Sequence, residues 1–296
     1  MCVITIITPT YNREGYLEKL YNSLKNQSCK EFVWLIVDDG SVDRTRDLCE
    51  NLIKQENEFE MQYVYQENGG KHTALNRALE YVTSELVFIV DSDDYLLPNA
   101  IQIIMKYYEK YTSKKEEYHL CGYSFLRCHK DGTVNTAFFP ENEKIDTYCN
   151  VRINGNIGGD KAEVFYTDIL KKYPFPVFSG ERFLAEDVVW MQMSGPYNMV
   201  HINENIYVCD YLDGGLTKSG RKMKVKSPYG MMFRSKVYLD DKNVCLRVKI
   251  KMMLLYIIYS GFAGIDIRTS AKDINHKLLF ILLYIPGKII EKTYFL

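Results

Sequence analysis

The sequence predicts an α/β fold: a mostly parallel sheet flanked by helices, then a mixed second half and a helical carboxy-terminal tail. Three observations carry this expectation. Through the first hundred residues, short β-branched apolar runs alternate with apolar residues at helical spacing. Each apolar run ends in a polar or glycine-bearing loop. After that the pattern turns to mixed short strands, and from about Lys218 to a basic and then apolar helical stretch.

Val3 to Ile7 is β-branched and continuous, as in a strand buried on both faces. Leu17, Leu20, Tyr21 and Leu24 recur at helical spacing, Phe32 to Val37 reads as a second strand, and Thr45, Leu48, Leu52 and Ile53 mark a second helix. Met61 to Tyr65 is a third strand, Ala74, Leu75, Ala78, Leu79 and Val82 line the next helix, and Leu86 to Val90 is a fourth strand. Repeated β-α units imply a doubly wound parallel sheet with right-handed crossovers. Ligands of such sheets sit beyond the carboxyl ends of the strands. The loops there are 8–12, 38–41, 67–71 and 91–94.

A helix opened by Pro98 follows, then short strands at Tyr118 to Phe125, Ala162 to Tyr166 and Asn205 to Asp210. The expected organisation is one domain over 1–215, with halves 1–110 and 111–215, and a basic helical region over 216–296. A chain of 296 residues, 47% hydrophobic, is large enough for a sizeable core. Its net charge of −1 hides an asymmetry: residues 217–296 carry 16 Lys+Arg against 5 Asp+Glu. Such a tail expects an anionic partner, and the neighbouring apolar segments Met252 to Phe262 and Leu278 to Ile290 favour a membrane surface, the plainer reading being a solvated basic face with two helices packed on the body. Nucleic acid is not expected, since no recognised binding motif accompanies the charge. The eight cysteines form no C-x-x-C pair and read as free thiols. With no secretory signal and no spanning run, the expected location is cytoplasmic, peripheral on the inner face of the cell membrane.

Asp91-Ser92-Asp93-Asp94 is the strongest local signal. In an extended chain residues i and i+2 point the same way, so Asp91 and Asp93 are expected to face one ligand together. Hard carboxylate oxygens suit Mg²⁺ or Mn²⁺, with a diphosphate completing the shell. The plainer reading is an acidic turn capping the helix near Pro98. Asp38 and Asp39 close the second strand, where a carboxylate can accept from a ribose or a base N–H. Alternatively they help the next helix dipole, with Ser41 or Asp43 as its cap. Gly69, Gly70 and Lys71 offer backbone N–H groups and a cation to a phosphate, or form a plain turn. His72 beside them reads as structural. Glu186-Asp187 precedes an apolar helix and is either a cap or a general base.

IITPTYNR, VDDGSVDRT, ENGGKHTALNRAL and VDSDD, in this order and spacing, resemble family 2 of the inverting nucleotide-sugar glycosyltransferases, with the GT-A fold. The likeness is close over roughly the first 110 residues and looser at ERFLAEDVVW and YLDGGLTKSG; GGDKAEVF is similar to bacterial members that build surface polysaccharides. The resemblance implies that Thr8, Pro9 and Tyr11 line the nucleobase pocket and that Asp39 bonds the base, usually uracil. It implies Asp91 near ribose and metal, Asp93 on the cation, Lys71 near a phosphate, and Asp187 as the catalytic base with Glu186 as its neighbour. Residues 111–215 become the acceptor half. No carboxy-terminal histidine ligand can be placed, so a single direct carboxylate plus diphosphate and waters is expected around Mn²⁺ or Mg²⁺.

The implied function is metal-dependent transfer of a sugar from a nucleotide diphosphate, UDP for preference, to a glycan or lipid-linked acceptor, by one inverting displacement. Tyr148, Phe178, Arg182 and Tyr211 are expected to set specificity. The alternatives are a nucleotide-sugar-binding protein without catalysis and a nucleotidyltransferase of related topology. The latter needs a glycine-rich, arginine-bearing loop that 8–13 lacks. An NAD-dependent oxidoreductase is disfavoured because no G-x-G-x-x-G follows the first strand.

Overall fold

The computed structural model describes residues 2–135, 137–209 and 216–293, with side chains except at 216–219. The chain divides into two compact units, Met1–Thr147 with Ile157–Pro174 and Pro196–Tyr211, and Tyr148–Asn156 with Phe175–Gly195 and Leu212–Leu296. The second unit thus takes up 148–156 and 175–195 as well as the basic tail.

In the first unit, β1 (Ile4–Thr10), β2 (Phe32–Asp39), β3 (Glu60–Gln66) and β4 (Leu86–Ile89) form the parallel part of the sheet. The helices between them are α1 (Leu17–Lys25), α2 (Thr45–Ile53) and α3 (Lys71–Tyr81). α1 and α3 bury the stripes that their spacing announces, such as Leu17, Leu20, Tyr21 and Leu24 on α1, whereas α2 buries Thr45, Cys49 and Leu52 and leaves Leu48 half-buried and Ile53 exposed. Every residue of β1 is buried because β2 and β4 flank it and both faces are covered.

The sheet continues through β5 (Tyr95–Leu96), α4 (Ala100–Tyr111), β6 (Leu120–Cys128), β7 (Lys144–Asp146), β8 (Lys161–Tyr166), α5 (Thr167–Leu170) and, beyond the second unit's α6 (Asp187–Met193), β9 (Asn198–Val208). Strand order is β3-β2-β1-β4-β8-β6-β9-β5, with β7 beside β9. β8 runs antiparallel to β4 and β6, so the second half is mixed as expected. Several bounds differ from expectation, among them the end of β2, which runs to Asp39 and takes Asp38 and Asp39 from the loop into the strand. β9 begins at Asn198, seven residues before the expected Asn205, because Met199, Val200 and Ile202 continue its buried face; its expected end, Asp210, lies outside the described residues. β1 runs to Thr10, so Thr8 to Thr10 belong to the strand rather than to its loop.

The second unit is helical: α6, α7 (Leu216–Lys226), α8 (Pro228–Asp240), α9 (Leu246–Phe262), α10 (Ile267–Asp273) and α11 (Lys277–Thr293). Its core is built from Met231, Met232, Tyr238, Met253, Tyr256, Ile257 and Tyr259. Asp266 caps α10 by accepting from the N–H groups of Arg268 and Thr269. The eight cysteines are free.

Candidate active site

The parallel strands end almost level. Thr10 lies beside Asp38 and Asp39 beside Gln66, so the loops after β1, β2 and β3 meet at one edge. Side chains then tie these loops together. Asn12, at φ 52, is in the left-handed region that asparagine tolerates; its N–H donates to Ser41 Oγ at 2.8 Å and its Oδ1 accepts Val42 N–H at 2.9 Å. Ser41 is therefore a tie between loops and not a helix cap. Asp43 does serve the start of α2, accepting Thr45 N–H at 3.0 Å. Asp38 is wholly buried and accepts from Ser41 N–H and Tyr63 Oη.

Asp39 organises the loop after β3. Its Oδ1 accepts from Gly69 N–H at 2.9 Å and Gln66 Nε2 at 2.7 Å, and its Oδ2 from Gly70 N–H at 2.8 Å and Asn68 Nδ2 at 3.2 Å. Four donors fill the acceptor capacity of a carboxylate. Gly70 can present its N–H this way because it sits at φ 97, which a side chain would resist. Gly40 is equally constrained: at φ 80, a Cβ would lie 2.7 Å from Asn68 N.

Asp91 to Asp94 is a turn, closed by Asp94 N–H on Asp91 O at 3.2 Å, and not an extended segment. Strand alternation therefore does not align Asp91 with Asp93, contrary to expectation. Instead cations sort the carboxylates. Asp91 pairs with Lys71 and lies 3.7 Å from Arg127, while Asp94 also lies 3.7 Å from Arg127. Asp93 is 4.0 Å from Arg13. Burial pushes the Asp91 carboxyl up, but the Lys71 ammonium and the Arg127 guanidinium outweigh it and hold the group below its usual range. Burial and the charge of Asp91 raise Asp93. Tyr207 on β9 carries the turn, and Arg127 lies 4.0 Å over its ring. None of these acids caps α4, whose N-cap residue, Asn99, makes no side-chain cap bond.

The expected site residues fare unevenly. Tyr11 is exposed beside this edge, and Pro9 is buried in β1. Thr8 is a core residue with no exposed surface, its hydroxyl accepting Trp34 Nε1–H at 2.9 Å, so its side chain lines no open pocket. Lys71 opens α3 with its ammonium on Asp91. His72 is buried, as a structural histidine is, and burial lowers its basicity. Thr10 Oγ1, Arg13 Nε and His72 Nδ1 are buried with no hydrogen-bond partner.

In the second unit Glu186 occupies the N-cap position of α6 without a side-chain cap bond. Asp187, at the first turn, spends its carboxylate on α8: Oδ1 accepts Arg234 Nε at 2.7 Å, and Oδ2 accepts Tyr238 Oη at 2.7 Å and Arg234 Nη2. The local expectation of a helix cap thus fails for both acids. Burial raises Asp187, but Arg234 and Tyr238 overcome it and leave the carboxyl below its usual range. Of the expected specificity residues, Tyr148 is buried, Phe178 packs on Phe233 at 5.8 Å, Arg182 is exposed, and Tyr211 lies outside the described residues. Sequence reading missed Arg127, Tyr207, Arg234 and Tyr238. Only Arg127 left a signal, as a lone cation within the apolar run of β6.

Residues 5–114 match the family model for glycosyl transferase family 2. An uncharacterized glycosyltransferase of Mycoplasma genitalium is 35% identical over 210 residues, 69% of this chain and 65% of that protein. A GalNAc(5)-diNAcBac-PP-undecaprenol beta-1,3-glucosyltransferase of Campylobacter jejuni is 26% identical over 64% of this chain and 59% of its own length. The chain thus spans less than two thirds of either relative. The crystal structure of S. aureus TarS 1-349 in complex with UDP-GlcNAc shares the fold, with TM-score 0.61 and 22% identity, covering 96% of this chain and 79% of that one. The loops of the edge just described lie within residues 5–114, the stretch that matches glycosyl transferase family 2.

Proposed function

We propose that this chain transfers a sugar from a nucleoside diphosphate donor, UDP for preference, to a glycan or lipid-linked acceptor in surface polysaccharide synthesis. The carrying observation is the meeting at one sheet edge of the Asp39-bound Gly69–Gly70 loop with Asp91, Asp93, Lys71 and Arg13. The UDP-GlcNAc bound by TarS and the undecaprenol in the Campylobacter relative's name support donor and acceptor classes.

Tyr11 and Pro9 face the base, and Asp39 receives its N–H in place of Asn68 Nδ2, the longest of its four bonds. Lys71 and Arg13 move from carboxylates to phosphate oxygens. Asp93 would be the direct donor for Mn²⁺ or Mg²⁺, with Asp91 beside it. Their hard oxygens fit such ions, and the described residues hold no cluster of three ligands, so diphosphate and water complete the shell. When bound, the ion offsets the charge of the departing diphosphate. Asp187 takes the proton of the acceptor hydroxyl with Glu186 as neighbour; the acceptor oxygen bonds to the anomeric carbon as the bond to phosphate breaks, and configuration inverts. The reaction belongs on the cytoplasmic side of the membrane, where the protein is peripheral.

The test is to react purified protein with nucleotide sugars and glycan or lipid-linked acceptors, and to read the anomeric configuration of the product by NMR. An α-linked donor should give a β-linked product. An α-linked product contradicts single displacement.

A further inference from the structure

The last described helix is apolar on the side that nothing in its unit covers. α11 buries Phe280 and Gly287 against α9, with the Phe280 ring 6.5 Å from Tyr256 and Gly287 under Ile257. On its opposite side Leu278, Ile281, Leu282, Ile285 and Ile289 are each at least 61% exposed. At about 3.6 residues per turn these five fall within an arc of roughly 100°. Lys277, Lys288 and Lys292 follow one flank of that stripe, with Lys288 paired to Glu291. A stripe of this size on a protein surface marks a binding face.

Charge decides between occupants. Docking a second copy on this face would bring like lysines together, in a region carrying 16 Lys+Arg against 5 Asp+Glu. An anionic surface neutralises the same lysines. At about 1.5 Å per residue, the 17-residue helix reaches only about 25 Å, short of the roughly 30 Å hydrocarbon core, and no described helix is long and apolar enough to cross a membrane. We infer that α11 lies in the plane of an anionic lipid surface, its isoleucine and leucine stripe sunk among the acyl chains and its lysine flank at the headgroups. This deepens the peripheral location proposed above by naming the element that touches lipid, and it does not depend on any transfer reaction.

The experiment is co-sedimentation of the full chain with vesicles of phosphatidylcholine alone or mixed with phosphatidylglycerol. The expected result is binding to the mixed vesicles that salt weakens. Ile281→Gln with Ile285→Gln should reduce it at least tenfold, with an unchanged melting curve because both side chains are exposed, and Lys277→Gln with Lys292→Gln about tenfold. The inference is overturned if the isoleucine pair binds vesicles like the parent, or if neutral vesicles bind equally well. A dimer in solution that Ile281→Gln with Ile285→Gln disperses would assign the face to a second copy instead.

Discussion

The Tyr207 hydroxyl holds both ends of the Asp91–Asp94 turn, donating to Asp94 Oδ2 at 2.9 Å and accepting the Asp91 N–H at 2.9 Å. Tyr207 is the penultimate residue of β9, more than a hundred positions from the turn it supports. Arg127 covers its ring and approaches both Asp91 and Asp94. The acidic turn therefore has its shape fixed from the mixed half of the sheet, while its charges face the edge.

Tyr207→Phe keeps the ring beneath Arg127 and deletes only the bridge. The Asp91 N–H then loses its acceptor and Asp94 Oδ2 loses one donor while keeping Arg127 at 3.7 Å, which costs about 1–3 kcal/mol. The expected outcome is a lower melting temperature together with a weaker response of the reaction to Mn²⁺. Titrating the ion against the rate in parent and variant measures this. An unchanged Mn²⁺ dependence would show that the bridge does not shape the turn's chemistry.

Asp39→Asn should weaken donor binding more than it slows the bound complex. The replacement keeps one acceptor oxygen but turns an NH₂ toward donors that Asp39 now accepts, among them Gly69 and Gly70 N–H. Loss of that tie, worth about 1–3 kcal/mol, releases the loop that begins α3. Calorimetric titration with UDP should show at least a tenfold weaker affinity, and kcat at saturating donor should fall much less.

Much of this was legible in the sequence, for a physical reason. Strands buried on both faces have to be continuously apolar, and helices packed on them need apolar residues every three or four positions, so β1 to β4 and α1 to α3 read directly. The acids and glycines at the strand ends read equally well, because no core role explains polar residues there. What did not read was partnership. That Asp39 spends its carboxylate on Gly69 and Gly70, or Asp187 on Arg234 and Tyr238, depends on contacts between distant positions that no local pattern encodes. Asp91 and Asp93 do not follow strand alternation because a hydrogen-bonded turn replaces an extended chain there. Leu278 to Ile290 reads from the sequence as an apolar segment beside basic residues, but only burial shows which side of α11 faces outward.

Asp187→Asn separates base from strut. Asp187 keeps its carboxyl below the ordinary value of 3.8 by virtue of Arg234 and Tyr238, against burial. A depressed pKa contributes stability that is present above the unfolded value and lost as pH falls through the folded one. Acid unfolding of the parent should therefore include a component below about pH 4 that the Asn variant lacks. If Asp187 is the base, the variant also loses about 10²- to 10⁴-fold in rate while still binding donor. A normal rate with only the stability change makes the carboxylate a strut, and loss in Glu186→Gln instead would move the role one residue.

Sugar is proposed to leave its nucleotide at the Asp91–Asp93 edge with a divalent ion's help. UDP release from UDP-sugars, measured with and without acceptor, tests it most directly when the parent, the chelator-treated parent and Asp93→Ala are compared. Asp93 lies in a partly exposed turn, so its truncation removes no core packing. The expected result is acceptor-stimulated release that chelator abolishes and that Asp93→Ala lacks, with the variant's melting temperature close to the parent's. Acceptor-stimulated release that survives both treatments would contradict the account.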